Sequence, residues 1–105
     1  MQHKITSVAD LGVLVRAARK SANIRIDDLA SMAGMSKQYL SDLELGKPAI
    51  QMGKALQVLQ ELGLYVYVDA PESTQQHLQT SSAHIARTKS RRRARAPKTD
   101  PSAEG

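Results

Sequence analysis

Residues Ala30–Gly46, ASMAGMSKQYLSDLELG, read as two short helices joined by a tight turn at Gly34. Gly34 follows the small, apolar Ala30 and Ala33, and glycine suits the left-handed conformation that ends a helix. Ser36, two residues on, is placed to cap the next helix by accepting from an orphan backbone N–H. Leu29, Met35, Leu40 and Leu43 supply apolar faces that can meet across the turn. The product is a helix-turn-helix unit, with a second helix sized for a DNA major groove.

Upstream, Ser7-Val-Ala-Asp10 resembles a capping box, with Asp in place of the usual Glu. Val8, Leu11, Leu14, Val15 and Ala18 then follow a helical period, which places helix 1 at residues 8–21. Arg16, Arg19 and Lys20 lie off that stripe, and Asn23 and Ile24 close the helix. Helix 2 spans Ile26–Met32, with Asp27 and Asp28 in the first turn, where the helix dipole favours acids. Helix 3 runs from Ser36 to Leu45, and Gly46 stops it. After the break at Lys47-Pro48, Met52, Ala55, Leu56, Leu59 and Leu62 mark one face of a further helix, which Gly63 ends.

Leu64, Tyr65, Val66, Tyr67 and Val68 form a Tyr/Val run bounded by Gly63 and Asp69-Ala-Pro71, the pattern of a short strand. The chain holds no second strand candidate, so a ladder requires a second copy. Antiparallel pairing across a two-fold dimer is the expectation. The alternative is an extended segment lying on the helices. Beyond Pro71 the chain is rich in Ser, Thr, Gln, Arg and Lys, with Leu78 and Ile85 the few large apolar residues. Such a segment buries too little surface to offset ordering entropy, so disorder is expected there. The expected fold class is therefore all-α: a compact helix-turn-helix bundle of four to five helices, one short C-terminal strand pairing across a dimer, and a disordered tail. The expected domain is 1–70, with the motif at 25–44 and the dimerisation strand at 64–68; 71–105 is the basic tail.

Composition narrows the function. A chain of 105 residues has room for one modest core and a tail. With no Cys there is neither a disulfide framework nor a thiolate metal site, which fits a reducing, cytoplasmic setting. The first residues, MQHKITSVAD, contain no apolar run of signal-peptide length, and nothing later approaches a membrane span. His3, His77 and His84 are scattered, and no nucleophile–base pair, phosphate loop or metal-ligand spacing accompanies them. The expectation is a non-enzyme without metal or cofactor. The net charge of +5 is uneven: residues 1–70 carry +1 and residues 71–105 carry +4. Attraction to a duplex by the globular part must come from local placement of charge.

At 100° per residue, Ser36, Leu40 and Leu43 share one face of helix 3, and Lys37, Gln38, Ser41, Asp42 and Leu45 cluster opposite. The first face is expected in the core and the second toward a groove. Lys37 and Gln38 sit near the helix N-terminus, the end that approaches base edges in such motifs. Lys can donate to guanine O6/N7, and Gln can bond adenine bidentately. Ser41 suits a phosphate or a nearby base. Tyr39, on the flank, has two readings: a hydroxyl on a phosphate, or a ring covering the core. Asp42 is repelled by phosphate; it either accepts from cytosine N4 or is solvated or paired with a nearby base.

Arg16, Arg19, Ile24, Leu29-Ala30, Ala33-Gly34-Met35-Ser36, Leu40, Leu43-Glu44, Gly46 and Pro48 together closely resemble the Xre family of Cro- and repressor-like helix-turn-helix proteins. The match covers residues 11–63 and implies a lambda-repressor-like fold. The strand and polar tail after the last helix resemble the HipB-type antitoxins. That resemblance implies a homodimer, a palindromic double-stranded DNA operator, a HipA-like kinase toxin as partner, and a bacterial, cytoplasmic, nucleoid-associated protein. It also implies that Arg19 pairs with Glu44 as a clasp between helices 1 and 3; the alternative is two exposed, independent charges. The chain departs from the family where helix 2 opens. A polar residue commonly contacts a phosphate there, but here the position is Ile26, so Arg25, helped by the N-terminal amides of helix 2, is expected to take over that contact; Lys47 is another phosphate candidate, and Ser36 is counted with the DNA-binding residues.

Three readings compete: a sequence-specific repressor acting alone, an antitoxin that also represses its own operon, and a helix-turn-helix used only as a protein adaptor. The tail cluster Arg91-Arg-Arg-Ala-Arg95, with Lys89 and Lys98, is a solvated run, a nonspecific DNA arm or a segment that folds on a partner. A basic arm adds salt-dependent affinity but little sequence information.

Overall fold

A computed structural model describes residues 1–95 of the chain. Helix α1, Val8–Ser21, starts at Ser7, whose Oγ accepts from the Asp10 N–H at 3.1 Å. The Asp10 carboxylate turns back one residue further than a capping box requires. It accepts from the backbone N–H and the hydroxyl of Thr6, each at 3.0 Å, and these bonds hold it below the usual carboxylate range. The helix closes through Asn23, in the left-handed region at φ 58°, which lets the Ile24 N–H return to the Arg19 carbonyl at 3.1 Å.

Helices α2, Ile26–Ala33, and α3, Lys37–Glu44, form the helix-turn-helix. Gly34 takes φ 70°, and the Met35 N–H closes the turn on the Ala30 carbonyl at 2.8 Å. Ser36 caps α3 by accepting from the Tyr39 N–H at 3.0 Å. Helix α4 covers Met52–Glu61. The core is Val15, Leu29, Ala30, Leu40, Leu43, Ala55, Val58 and Leu59, with Leu11, Ile24, Met35 and Leu62 packed against it. Fully burying a side chain such as Leu29, Leu40 or Leu43 withdraws apolar surface worth about 1.5–3 kcal/mol. The α4 face is rotated from the sequence expectation. Ala55, Val58, Leu59 and Leu62 make the inward stripe, whereas Met52 and Leu56 are exposed. The inward spacing is i, i+3, i+4, i+7, and Met52 and Leu56 fall on its flank.

Helix α1 lies against the C-terminal end of α3 with almost no side chain between the backbones. A Cβ on Gly12 would fall 2.3 Å from the Leu43 carbonyl oxygen and 2.8 Å from that of Glu44. One turn toward the N-terminus of α1, a Cβ on Gly46 would fall 2.6 Å from the Ala9 Cα.

Two expectations are corrected. Among the described residues there are five α-helices and no strand. Leu64 packs on the core and bonds its N–H to the Leu59 carbonyl at 2.9 Å, but Tyr65, Val66, Tyr67 and Val68 are exposed and carry no ladder. The physical reason is the one visible in the sequence: a single strand has no partner within one protomer. The second correction concerns the tail. The chain divides into Met1–Val66 and a unit that begins at Tyr67. That second unit has a 3-10 turn at Glu72–Thr74 and a helix α5 over Gln75–Arg95, where disorder is expected from composition. No Gly or Pro interrupts residues 72–96, and Gln, Ala, Arg and Lys favour helix without needing a core. Leu78 and Ile85 are exposed on α5. Lys98 of the basic cluster lies outside the described residues. Among the described residues, no helix is long and apolar enough to cross a membrane.

Candidate nucleic-acid interface

Helix α3 presents two unlike faces. Leu40 and Leu43 are fully buried, Lys37 and Gln38 are exposed, and Ser41 and Asp42 are half-buried between them. The turn at Gly34 makes this possible, because it lets α3 leave α2 with Leu29 and Leu40 facing one core.

Asp42 resolves into a paired residue. Its Oδ1 accepts from Gln38 Nε2 at 2.8 Å and lies 3.1 Å from Lys47 Nζ. The Gln38 bond, with Lys47 second, holds the Asp42 carboxyl below the usual carboxylate range. A carboxylate can only accept, so the Gln38 amide must turn its NH2 group toward Asp42. One N–H and the amide oxygen stay free, the donor and acceptor that adenine N7 and N6 require. Because the folded-state value is depressed, the contact is complete above the ordinary carboxylate value and is lost as pH falls through the lower, folded-state one. The expected result is that the Gln38 side-chain amide resonances shift in acid, with a midpoint below that of an Asp in an unstructured peptide. A midpoint at or above the peptide value contradicts the pairing.

The other bases of this surface are also paired. Lys37 Nζ lies 3.1 Å from Asp27 Oδ1, and Arg25 Nη2 lies 3.9 Å from Asp27 Oδ2. Ser36 gives its oxygen to the cap and keeps its proton free at the exposed start of α3. Of the two roles open to Tyr39, the geometry fits cover. Its hydroxyl donates to the Gln51 carbonyl at 2.8 Å, the Lys54 ammonium stands 5.6 Å from the ring centroid, and burial pushes the phenol up. Leu45 is exposed just beyond the last turn of α3.

Arg19 and Glu44 meet as a buried bidentate pair. Arg19 Nε donates to Glu44 Oε2 at 2.7 Å and Nη2 to Oε1 at 3.0 Å, with side chains only 11% and 7% exposed. Nη1 donates to the Ile24 carbonyl at 2.9 Å, so one guanidinium ties together α1, the end of α3 and the loop before α2. The Glu44 hydrogen bond raises the Arg19 value further above an already high one. Sequence reasoning missed three features of this region: Gly12, the Ile24 carbonyl, and Asp27 as a shared acceptor. Asp27 had a signal, since an acid in the first turn of α2 is preceded by a base at position 25 and followed by another at position 37. Gly12 had only its place in an otherwise good helix.

A helix-turn-helix family model matches residues 15–66, from the middle of α1 to beyond α4. An uncharacterized HTH-type transcriptional regulator of Sinorhizobium fredii, y4mF, is 49% identical over 71 residues, which are 68% of this chain and 93% of its own length. The chain belongs to the Xre-like helix-turn-helix family. Among solved structures, an Xre-like fold of the same arrangement occurs in a HipA-HipB-O2-O3 complex, with a TM-score of 0.62. It occurs also in a HipB-O4 20mer complex, with a TM-score of 0.61. In both cases the sequences are 20% identical, and the match covers 68% of this chain and the whole of the other. At that identity the likeness is one of fold. The Xre-like family is one of transcriptional regulators.

Proposed function

We propose that this chain is a homodimeric, sequence-specific DNA-binding regulator that reads an operator through α3. The observation that carries the reading is the outward face of that helix. Lys37 and Gln38 are exposed at its N-terminal end, while Leu40 and Leu43 anchor the opposite side. Gln38 and Lys37 would contact base edges, and Ser41 a base or phosphate. Ser36, Arg25 and Lys47 would hold phosphates, and Asp42 would aim Gln38 and Lys47. Four consecutive exposed large residues, Tyr65, Val66, Tyr67 and Val68, support a homodimer, since a contiguous apolar run marks an interaction surface. With two reading heads on one face, half-site centres would lie about 34 Å or a multiple apart on a rough palindrome.

We further propose that the regulator is the antitoxin of a HipA-type kinase pair, repressing its own operon and binding the toxin. Supporting this are the fold shared with a chain of a HipA-HipB-O2-O3 complex and a chain of a HipB-O4 20mer complex, and the apolar run and long polar segment that follow α4. A stand-alone Xre-type repressor is the second reading, favoured by the Sinorhizobium relative being described only as a transcriptional regulator. Copurification from the native host separates the two.

The test is selection of bound duplexes from a random pool, followed by anisotropy titration. Lys37→Ala and Gln38→Ala should each lose about 1–3 kcal/mol on the selected duplex and relax preference at one base position per half-site. Two chains should bind per palindrome. Selection of no common sequence, or binding unaffected by both substitutions, overturns the reading.

A further inference from the structure

The ion pairs around α3 share a pattern. Among the described residues there are four ion pairs, and three of them join a base of the candidate interface to just two acids, Asp27 and Asp42. Asp27 holds two bases, Lys37 at 3.1 Å and Arg25 at 3.9 Å, and all three side chains are well exposed. In the free protein these bases therefore already have an anionic oxygen as partner. A duplex offers them another.

We propose that Asp27 is an affinity-setting residue, an internal competitor for the phosphate backbone that weakens sequence-independent binding. This rests on the reading of α3 as the DNA-facing helix. Any duplex must replace the Asp27 carboxylate at Lys37 and Arg25 before those bases can serve its phosphates. The opposition acts on every sequence alike, so it lowers occupancy of random DNA without needing any base contact. Weak exposed pairs suit this task, because each contributes only about 0.2–1 kcal/mol and yields readily to a well-formed complex. The position of Asp27 in the first turn of α2 keeps it useful to the fold meanwhile, through the helix dipole.

Asp28 provides the control. It occupies the same first turn, is exposed, and takes part in none of the ion pairs among the described residues. Full-length wild type, Asp27→Asn and Asp28→Asn are titrated against a 20-base-pair duplex of random sequence across a salt series, with thermal midpoints recorded for each. Asp27→Asn should bind about 3- to 10-fold tighter than wild type at low salt. Its log–log salt slope should steepen by about 0.9, one extra phosphate. Asp28→Asn should change affinity by clearly less. In an Arg25→Ala/Lys37→Ala background the Asp27→Asn gain should vanish. Equal effects of Asp27→Asn and Asp28→Asn, or a gain that survives without Arg25 and Lys37, overturn the inference while leaving the regulator reading intact. Absence of salt-sensitive duplex binding by all three proteins overturns the regulator reading and this inference with it.

Discussion

Arg19→Ala should cost about 3–5 kcal/mol, because it leaves the Glu44 carboxylate buried without its partner. A unit of this size has a total stability on the order of 5–10 kcal/mol, so the variant sits at the edge of folding. Each kcal/mol lost lowers the thermal midpoint of so small a domain by about 4–8 °C. The Ile24 carbonyl loses its donor as well, which loosens the loop that leads into α2. A double-mutant cycle with Glu44→Ala isolates the pair, and a coupling energy within about 0.5 kcal/mol of zero would show the two side chains to be independent. The replacement Arg19→Met/Glu44→Leu should recover much of the loss, since packed apolar groups often match a buried ion pair in stability. If that stable variant also loses duplex affinity, the pair aims α3 more than it holds the fold.

The second large effect belongs to Gly12. In an open helical position Gly→Ala gains about 0.5–1 kcal/mol. Here the new Cβ would lie 2.3 Å from a backbone carbonyl oxygen of α3, which cannot rotate aside as a side chain can. Overpacking against movable neighbours costs about 1–3 kcal/mol, and the cost at Gly12 should reach or exceed the top of that range. Relief requires α1 to lift from α3, which draws Arg19 away from Glu44. Gly34→Ala is the contrast: no atom lies within 4 Å of its Cβ, so only the strain of φ 70° opposes it, about 1–2 kcal/mol. Urea denaturation of the two variants should rank Gly12→Ala well below Gly34→Ala. An unchanged or raised midpoint for Gly12→Ala contradicts the close seating of α1 on α3.

The local signals in the sequence are strong where one residue type answers one backbone need. Gly34 after two alanines, Ser36 as cap, and Leu29, Leu40 and Leu43 at helical spacing were sufficient to place the turn and its core. Exposure of Lys37 and Gln38 followed from the same spacing. The α4 stripe was harder, because Met52, Leu56 and Val58 are all apolar and periodicity alone does not choose among them. Composition misled at the tail: a segment unable to build a core can still be helical when glycine and proline are absent, as Gln75–Arg95 is. The seat of Gly12 and the reach of Lys37 back to Asp27 depend on distances between elements, which no local pattern encodes.

The seating of α1 at Gly12 and Gly46 has an evolutionary corollary. Main-chain atoms and one guanidinium–carboxylate fork govern how α3 is tilted, so the residues that line its outer side are free of that duty. Lys37, Gln38 and Ser41 can be exchanged for others without disturbing the joint. If α3 reads DNA as proposed, a lineage built on such a joint would acquire a new target sequence by a few substitutions, with its architecture left untouched.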